Sequence, residues 1–261
     1  MAYPSRIVCL TEETTEILYL LGEGDRVVGV SGYTVRPPEA RHKPRISSFL
    51  QARTDKIAAL APDLVLAFSD LQADIVSDLI RHGYAVMTFN QRSVEEVLQA
   101  VRLVGSLVGV QARAEALADS LRDGLDVIAR EAALLPTRPR VFFEEWDDPL
   151  ISGIQWVEEL VEIAGGTPIF PECRRAGLAK DRIVSPDEVR ARNPEVIFAS
   201  WCGKRVQAAR IASRPGWETI TAVQRGRIHE IKSSLILQPG PAALTEGVRQ
   251  IAGHIRSACG L

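Results

Sequence analysis

The chain is poor in the residues that usually announce chemistry. Its four histidines, His42, His82, His229 and His254, form neither an HxH nor an HExxH pattern, which argues against a receptor for bare zinc or manganese. Its four cysteines, Cys9, Cys173, Cys202 and Cys259, stand far apart with no CxxC pair. That spacing indicates neither a zinc ribbon nor a dense disulfide framework, although an even count permits bridges. No apolar run approaches the ~20 residues that span a bilayer, so no membrane insertion is expected. Neither sign of charge dominates. Thirty-one basic and 33 acidic residues give a net charge of −2, without the positive excess of a nucleic-acid-binding chain. There is no glycine-rich phosphate loop, GxSxG elbow, Walker motif or metalloprotease motif. No charged segment followed by a long apolar stretch precedes the strand-like Ile7-Val8-Cys9-Leu10, so no signal peptide is read. The expected location is the cytoplasm as the chain stands, or the periplasm if a leader has been removed.

What is present is an ordinary globular composition, 46% apolar and 25% charged over 261 residues. That length suits one large α/β domain or two lobes. Short apolar runs at 6–10, 27–31, 64–68, 85–89, 140–144, 196–201 and 227–231 read as strands, and helical patterns lie between them. Thr11-Glu12-Glu13 opens one such helix, where acids in the first turn suit the helix dipole, and Gly22 suits its far end. Residues 110–135 contain no proline. Leu117, Leu121, Leu125, Ile128, Ala132 and Leu135 recur there at steps of three or four. One helix over this stretch would be about 39 Å long. It divides the chain into a lobe at 1–109, a connecting helix at 110–135 and a second lobe at 136–261. A plain surface helix within one domain is the alternative. Asp55 to Ala67 also matches Asp187 to Ala199 at a constant offset: an acid-led helix, then Pro and an acid, then a buried strand. Two lobes of similar design follow from that repeat.

With these residues in view, the chain resembles the helical-backbone (class III) substrate-binding proteins that serve ABC importers of cobalamin, ferric siderophores, haem and some metals. The resemblance rests on 6–10, the Thr-Glu-Ile-Leu helix at 15–18, Gly22, the Asp25-to-Gly29 run, Tyr33 with Pro37-Pro38, residues 56–67 and the Val184-to-Val189 segment. The cobalamin branch is most similar. It implies two Rossmann-like α/β lobes, one connecting helix, a preformed ligand cleft between the lobes and no catalysis. It also implies a monomer that binds cobalamin, a related corrinoid or another metal chelate, with no covalently bound cofactor, for an ABC importer permease. In the family one acid on each lobe meets arginines of the transporter. Those positions fall here on Asp55 and Asp187, where an Asp at a helix start is also a common N-cap.

Tyr33, Phe49 and Phe68 match family positions that place aromatic faces in the cleft; each alone also suits core packing. The cobalamin branch has tryptophan where this chain has Phe49 and Phe68. The second lobe offers Glu144, Glu145, Trp146, Asp147 and Asp148 directly after a strand, four carboxylates and a tryptophan that make poor core material. At a strand's carboxyl end they would bind a cation, a basic group or sugar hydroxyls, or form a solvated acidic loop. Trp156 follows at a helix start. Trp201 and Lys204, around Cys202-Gly203, lack the resolving cysteine of a redox pair. Trp201 is expected to stack on a planar ligand and Lys204 to supply charge, while Cys202 is either a soft axial metal ligand or a small buried residue. Lys232 and Gln238 are candidate polar contacts. Two other readings remain at this level: a cytoplasmic carrier or sensor of such a ligand, and an enzyme using the Glu144–Asp148 carboxylates on a small polar metabolite.

Overall fold

In the computed structural model, residues 3–48 and 52–261 are described. They form two α/β units, one of residues 3–48, 52–91 and 95–121, the other of 92–94 and 122–261.

The first unit begins with β1 (Ile7–Cys9), α1 (Glu12–Leu20), β2 (Val27–Ser31) and β3 (Arg45–Ser47). It continues with α2 (Thr54–Ala59), β4 (Leu64–Phe68), α3 (Ala73–Arg81) and β5 (Val86–Phe89). The strands are all parallel, in the order β3-β2-β1-β4-β5. β1 and β4 are buried along their whole length, as a parallel sheet covered on both faces requires. Val8, Leu10, Ile46, Ile57, Val65, Ala67 and Leu79 form one of its apolar clusters.

Two helices follow, α4 (Val94–Leu107) and α5 (Gln111–Ala132), and link the lobes. Glycine at 105 lets the two approach, because a Cβ there would sit 2.2 Å from that of Ala114. Arg102 of α4 pairs with Glu115 at 2.5 Å and Asp119 at 3.1 Å on α5. The helix expected over 110–135 is therefore present, ending three residues early at Ala132, and α4 packs beside it.

The second unit contains β6 (Arg140–Asp147), β7 (Leu150–Ser152), α6 (Gln155–Ile163), β8 (Thr167–Pro168), α7 (Pro186–Arg192) and β9 (Val196–Ala199). After these come α8 (Ala208–Ala212), α9 (Thr221–Gln224), β10 (Ile228–Glu230), α10 (Ser233–Ile236) and α11 (Val248–Ala258). Parallel strands run β8-β6-β9-β10, and β7 lies antiparallel on the far half of β6. The core gathers Phe142, Phe170 and Trp217, with ring contacts of 5.8 and 6.4 Å from Phe142.

The internal repeat is structural. α2–β4 and α7–β9 are its two copies, and each helix ends on a left-handed residue at the equivalent position, Ala61 (φ 43°) and Asn193 (φ 44°). Asp63 accepts hydrogen bonds from the backbone of Ser5 and Arg6 before β1, and Glu195 accepts one from Arg140 at the start of β6. Arg6 and Arg140 then donate to the carbonyls of Ala61 and Asn193. One sequence pattern builds one substructure twice: an acid after the proline holds the start of the neighbouring strand.

Three short strands, β3, β7 and β8, escape the alternation pattern, and the strand expected at 140–144 runs on to Asp147. Its second half is a hairpin arm. The acidic segment is therefore strand, not the loop that follows one. All four cysteines are thiols outside any disulfide. No described helix is long and apolar enough to cross a membrane.

Candidate functional site

In each parallel sheet the crossovers leave in opposite directions from one pair of neighbouring strands. These are β1 and β4 in the first unit and β6 and β9 in the second. Open α/β sheets bind ligands at the carboxyl ends of such a pair. The residues found there are Thr11, Glu12 and Glu13 after β1 and Ser69 after β4; in the second unit they are Glu144 to Asp147 on β6 and Ser200 to Lys204 after β9.

The second unit's edge is a set of ion pairs, in which Asp147 Oδ2, Arg182 Nε and Ser200 Oγ are buried without a hydrogen bond among the described residues. Glu144 is wholly buried. It accepts two bonds from Arg214, at 2.5 and 2.9 Å, and one from Trp201 Nε1 at 3.1 Å. Burial raises its pKa; Arg214 and Trp201 pull it back only in part. Glu145 takes a bidentate bond from Arg182 at 2.6 and 2.8 Å, and Arg182 is itself buried. Asp147 contacts Lys204, and Arg210 at 3.1 Å. Burial tends to raise the Asp147 pKa, but the Lys204 bond and the two positive charges outweigh it and hold the carboxyl below its usual value. The expectation that these carboxylates are free for a cation, or form a solvated loop, is corrected. Three of the four are spent on the chain's own arginines and lysine.

Lys204 lies over the Trp146 ring at 4.0 Å and the Trp201 ring at 5.0 Å. Trp146 is half-buried and its Nε1 donates to the carbonyl of Asp148 at 2.9 Å. Trp201 and Trp156 are 2% and 3% exposed. Their ring N–H groups are satisfied within the chain, by Glu144 and by the carbonyl of Ile236. Phe68 is buried as well, while Tyr33 is 47% exposed. Phe49 lies outside the described residues. Lys232 is exposed at the start of α10, and Gln238 is half-buried beside it. Cys202 is exposed rather than buried. Among the described residues no group of three or more His, Cys, Asp or Glu side chains is arranged to hold a metal ion.

The first unit's edge is built differently. Thr11 adopts an extended N-cap conformation but does not cap; its hydroxyl donates to Glu13 Oε1 at 2.6 Å. Glu12 and Glu13 are 8% and 1% exposed, and Oε2 of each meets no donor among the described residues. Burial pushes their pKa values up to about 7 and about 8, and Glu12 adds to the rise at Glu13. As sequence, this pair reads only as helix-dipole acids. The overlooked signal is their position immediately after a wholly buried strand.

Asp55 and Asp187 are exposed second residues of α2 and α7 and cap neither helix; Ser185 caps α7 in a capping box with Glu188. Asp55 takes two bonds from Arg53, at 3.0 and 2.9 Å, and Asp187 pairs with Arg190 at 3.1 Å.

The family model described as "Periplasmic binding protein" matches residues 7–235. An uncharacterized ABC transporter substrate-binding lipoprotein, YvrC, of Bacillus subtilis is 28% identical, over 97% of this chain and 80% of its own. The vitamin B12-binding protein of Vibrio cholerae is 25% identical, over 97% of this chain and 90% of its own. Among solved structures, the haem-binding protein RhuT of Roseiflexus superposes with a TM-score of 0.84 at 23% identity, covering 98% of this chain and 99% of that one.

Proposed function

Because the chain belongs to the periplasmic binding protein family, in its helical-backbone class, we propose that it holds a metal chelate for an ABC importer. The candidates are cobalamin, another corrinoid, haem or a ferric siderophore. The family is non-catalytic, and this chain is read as a binding protein rather than an enzyme. The observation that carries the reading is the doubled architecture: two copies of one helix–strand unit, each supporting a parallel sheet with its own ligand-binding edge. Cobalamin-binding relatives cover nearly the whole chain, and haem-binding structures share the fold, which supports a ring-shaped chelate without choosing among them.

In the first unit Tyr33 is exposed, and on the second unit's edge Trp146 keeps free surface with Lys204 over its ring. A planar ligand would stack there, and such contacts are worth about 0.5–1.5 kcal/mol beyond the area buried. Asp55 and Asp187 are proposed to meet the importer, each exchanging its own arginine for one on the permease.

A fluorescence titration against cyanocobalamin, cobinamide, haem and ferric hydroxamates tests the reading. Saturable binding of one chelate at micromolar or tighter Kd is expected. No binding of any of them would remove the proposal. Retention of the ligand-loaded protein by its permease–ATPase complex distinguishes delivery to an importer from a stand-alone carrier.

A further inference from the structure

We infer that Glu12 and Glu13 form an anionic cradle for a positively charged, N–H-bearing part of the ligand, so that the chain selects cationic chelates over neutral or anionic ones. The inference rests on the reading of the chain as a chelate-binding protein and sharpens it.

Three independent observations meet here. The pair follows β1, one of the two strands that form the ligand-binding edge of the first sheet. Each acid keeps one buried oxygen that no described residue satisfies. On the same carboxyl edge, after β2, the fully buried hydroxyl of Thr34 also has no partner. A buried polar group without a partner is costly, and an incoming donor would relieve it at Glu12 and Glu13. A protonated amine or other N–H-rich cation supplies both donors and charge.

The raised pKa values agree with this geometry. Of the surrounding titratable groups, the Cys9 thiol on β1 is pushed up to about 12 by burial and carries no charge near neutrality. Glu16 on the same helix is engaged with Arg36 at 3.2 Å. Asp25 and Arg26 lie at the far end of α1, and β2 and β4 carry no titratable side chain. Arg36 pairs with Glu16 one turn along α1, and a cation bound at Glu12 and Glu13 would drive them to their charged form with release of protons.

The test compares chelates matched in shape and unequal in charge: ferrioxamine B against its N-acetylated form, and aquacobalamin against cyanocobalamin. Equilibrium dialysis at neutral pH is expected to show at least a tenfold preference of the wild-type protein for the cationic member of the pair it binds. Glu12→Gln and Glu13→Gln should each reduce that preference, and the double variant should abolish it while still binding the neutral member. For ferrioxamine B, affinity of the wild type should rise between pH 6 and 8.5, with proton uptake or release read from calorimetry in buffers of different ionisation heat. Binding without charge preference, or a preference that survives both substitutions, overturns the cradle and leaves the chelate-binding function standing. Binding of neither pair overturns the cradle, and if haem is not bound either, the chelate-binding function falls with it. Should the variants unfold, the wild-type pH series decides alone, and a flat series rejects the cradle.

Discussion

At the carboxyl edge of the first sheet, Glu12 and Glu13 are buried with an oxygen each that meets no donor, whereas at the corresponding edge of the second sheet Glu144 lies against Arg214 and Trp201, Glu145 against Arg182, and Asp147 against Lys204 and Arg210. The second edge holds more carboxylates, but Glu144, Glu145 and Asp147 each already face a cation. Density of acid in a sequence is thus a poor guide to where a cation will bind. What matters is whether the fold brings a base to each acid, and those bases come from far along the chain. Arg182 is 37 residues from Glu145, and Arg214 is 70 from Glu144. A closed set of pairs fixes the shape of an edge, while an open pair leaves it able to respond to charge.

The contrast breaks most visibly at Arg214. Replacing it with methionine keeps the bulk of the stem and leaves Glu144 buried without its guanidinium. Removing one partner of a buried pair typically costs 3–5 kcal/mol, and a loss of ~3 kcal/mol or more in urea denaturation is expected for Arg214→Met. A loss under ~1 kcal/mol would mean that Glu144 is already protonated and needs no partner. The pairing would then be incidental, and the two edges would be more alike than drawn.

Glu13→Gln should act with the opposite sign. The folded pKa of about 8 lies above the ordinary glutamate value of 4.5, so the native state holds a proton that the unfolded chain gives up. Native stability is then undiminished by this group below about pH 4.5 and falls as pH rises through about 8. Glutamine removes the titration. At pH 8.5 the variant should be more stable than the wild type by ~2 kcal/mol, and the gain should vanish below pH 4.5. Thermal melts across that range check it. A variant less stable than the wild type at high pH would show that a donor serves Glu13 Oε2 as well as Oε1, and that the first edge is as closed as the second.

Much of the architecture was legible because parallel strands buried on both faces are nearly continuous apolar runs. Residues 27–31 and 64–68 match β2 and β4 end to end, and the repeated Pro-acid-strand pattern marks equivalent turns. The short strands β7 and β8 were not, since two or three residues carry no period, and β7 is defined by pairing on β6 rather than by its own pattern. At the site the type of residue was readable and its state was not. Trp201 looks like a stacking platform in sequence and Trp156 like a site residue at a helix start, but both are buried with their N–H groups already bound. Glu12 and Glu13 look like helix-start decoration. Burial and partnership depend on contacts distant in sequence, and no local pattern encodes them.

The smallest effect, and the sharpest on the second edge, is expected from Lys204→Met. The methionine keeps an apolar stem against Trp146 but removes the cation that lies 4.0 Å from its ring and that contacts Asp147. Asp147 still has Arg210 at 3.1 Å, and the lysine head is partly exposed to solvent. The stability lost should therefore be only ~0.5–1 kcal/mol, after allowance for screening. Its pH dependence runs opposite to that of the first edge. The depressed pKa of Asp147 contributes stability above its unfolded value of 3.8, and that contribution disappears as the pH falls through its folded value. Wild type and variant should therefore differ at pH 7 and converge in acid, read by denaturant midpoints at each pH. If the difference instead grew toward low pH, Lys204 would be serving a group other than Asp147, and the second edge would not be closed by its own ion pairs.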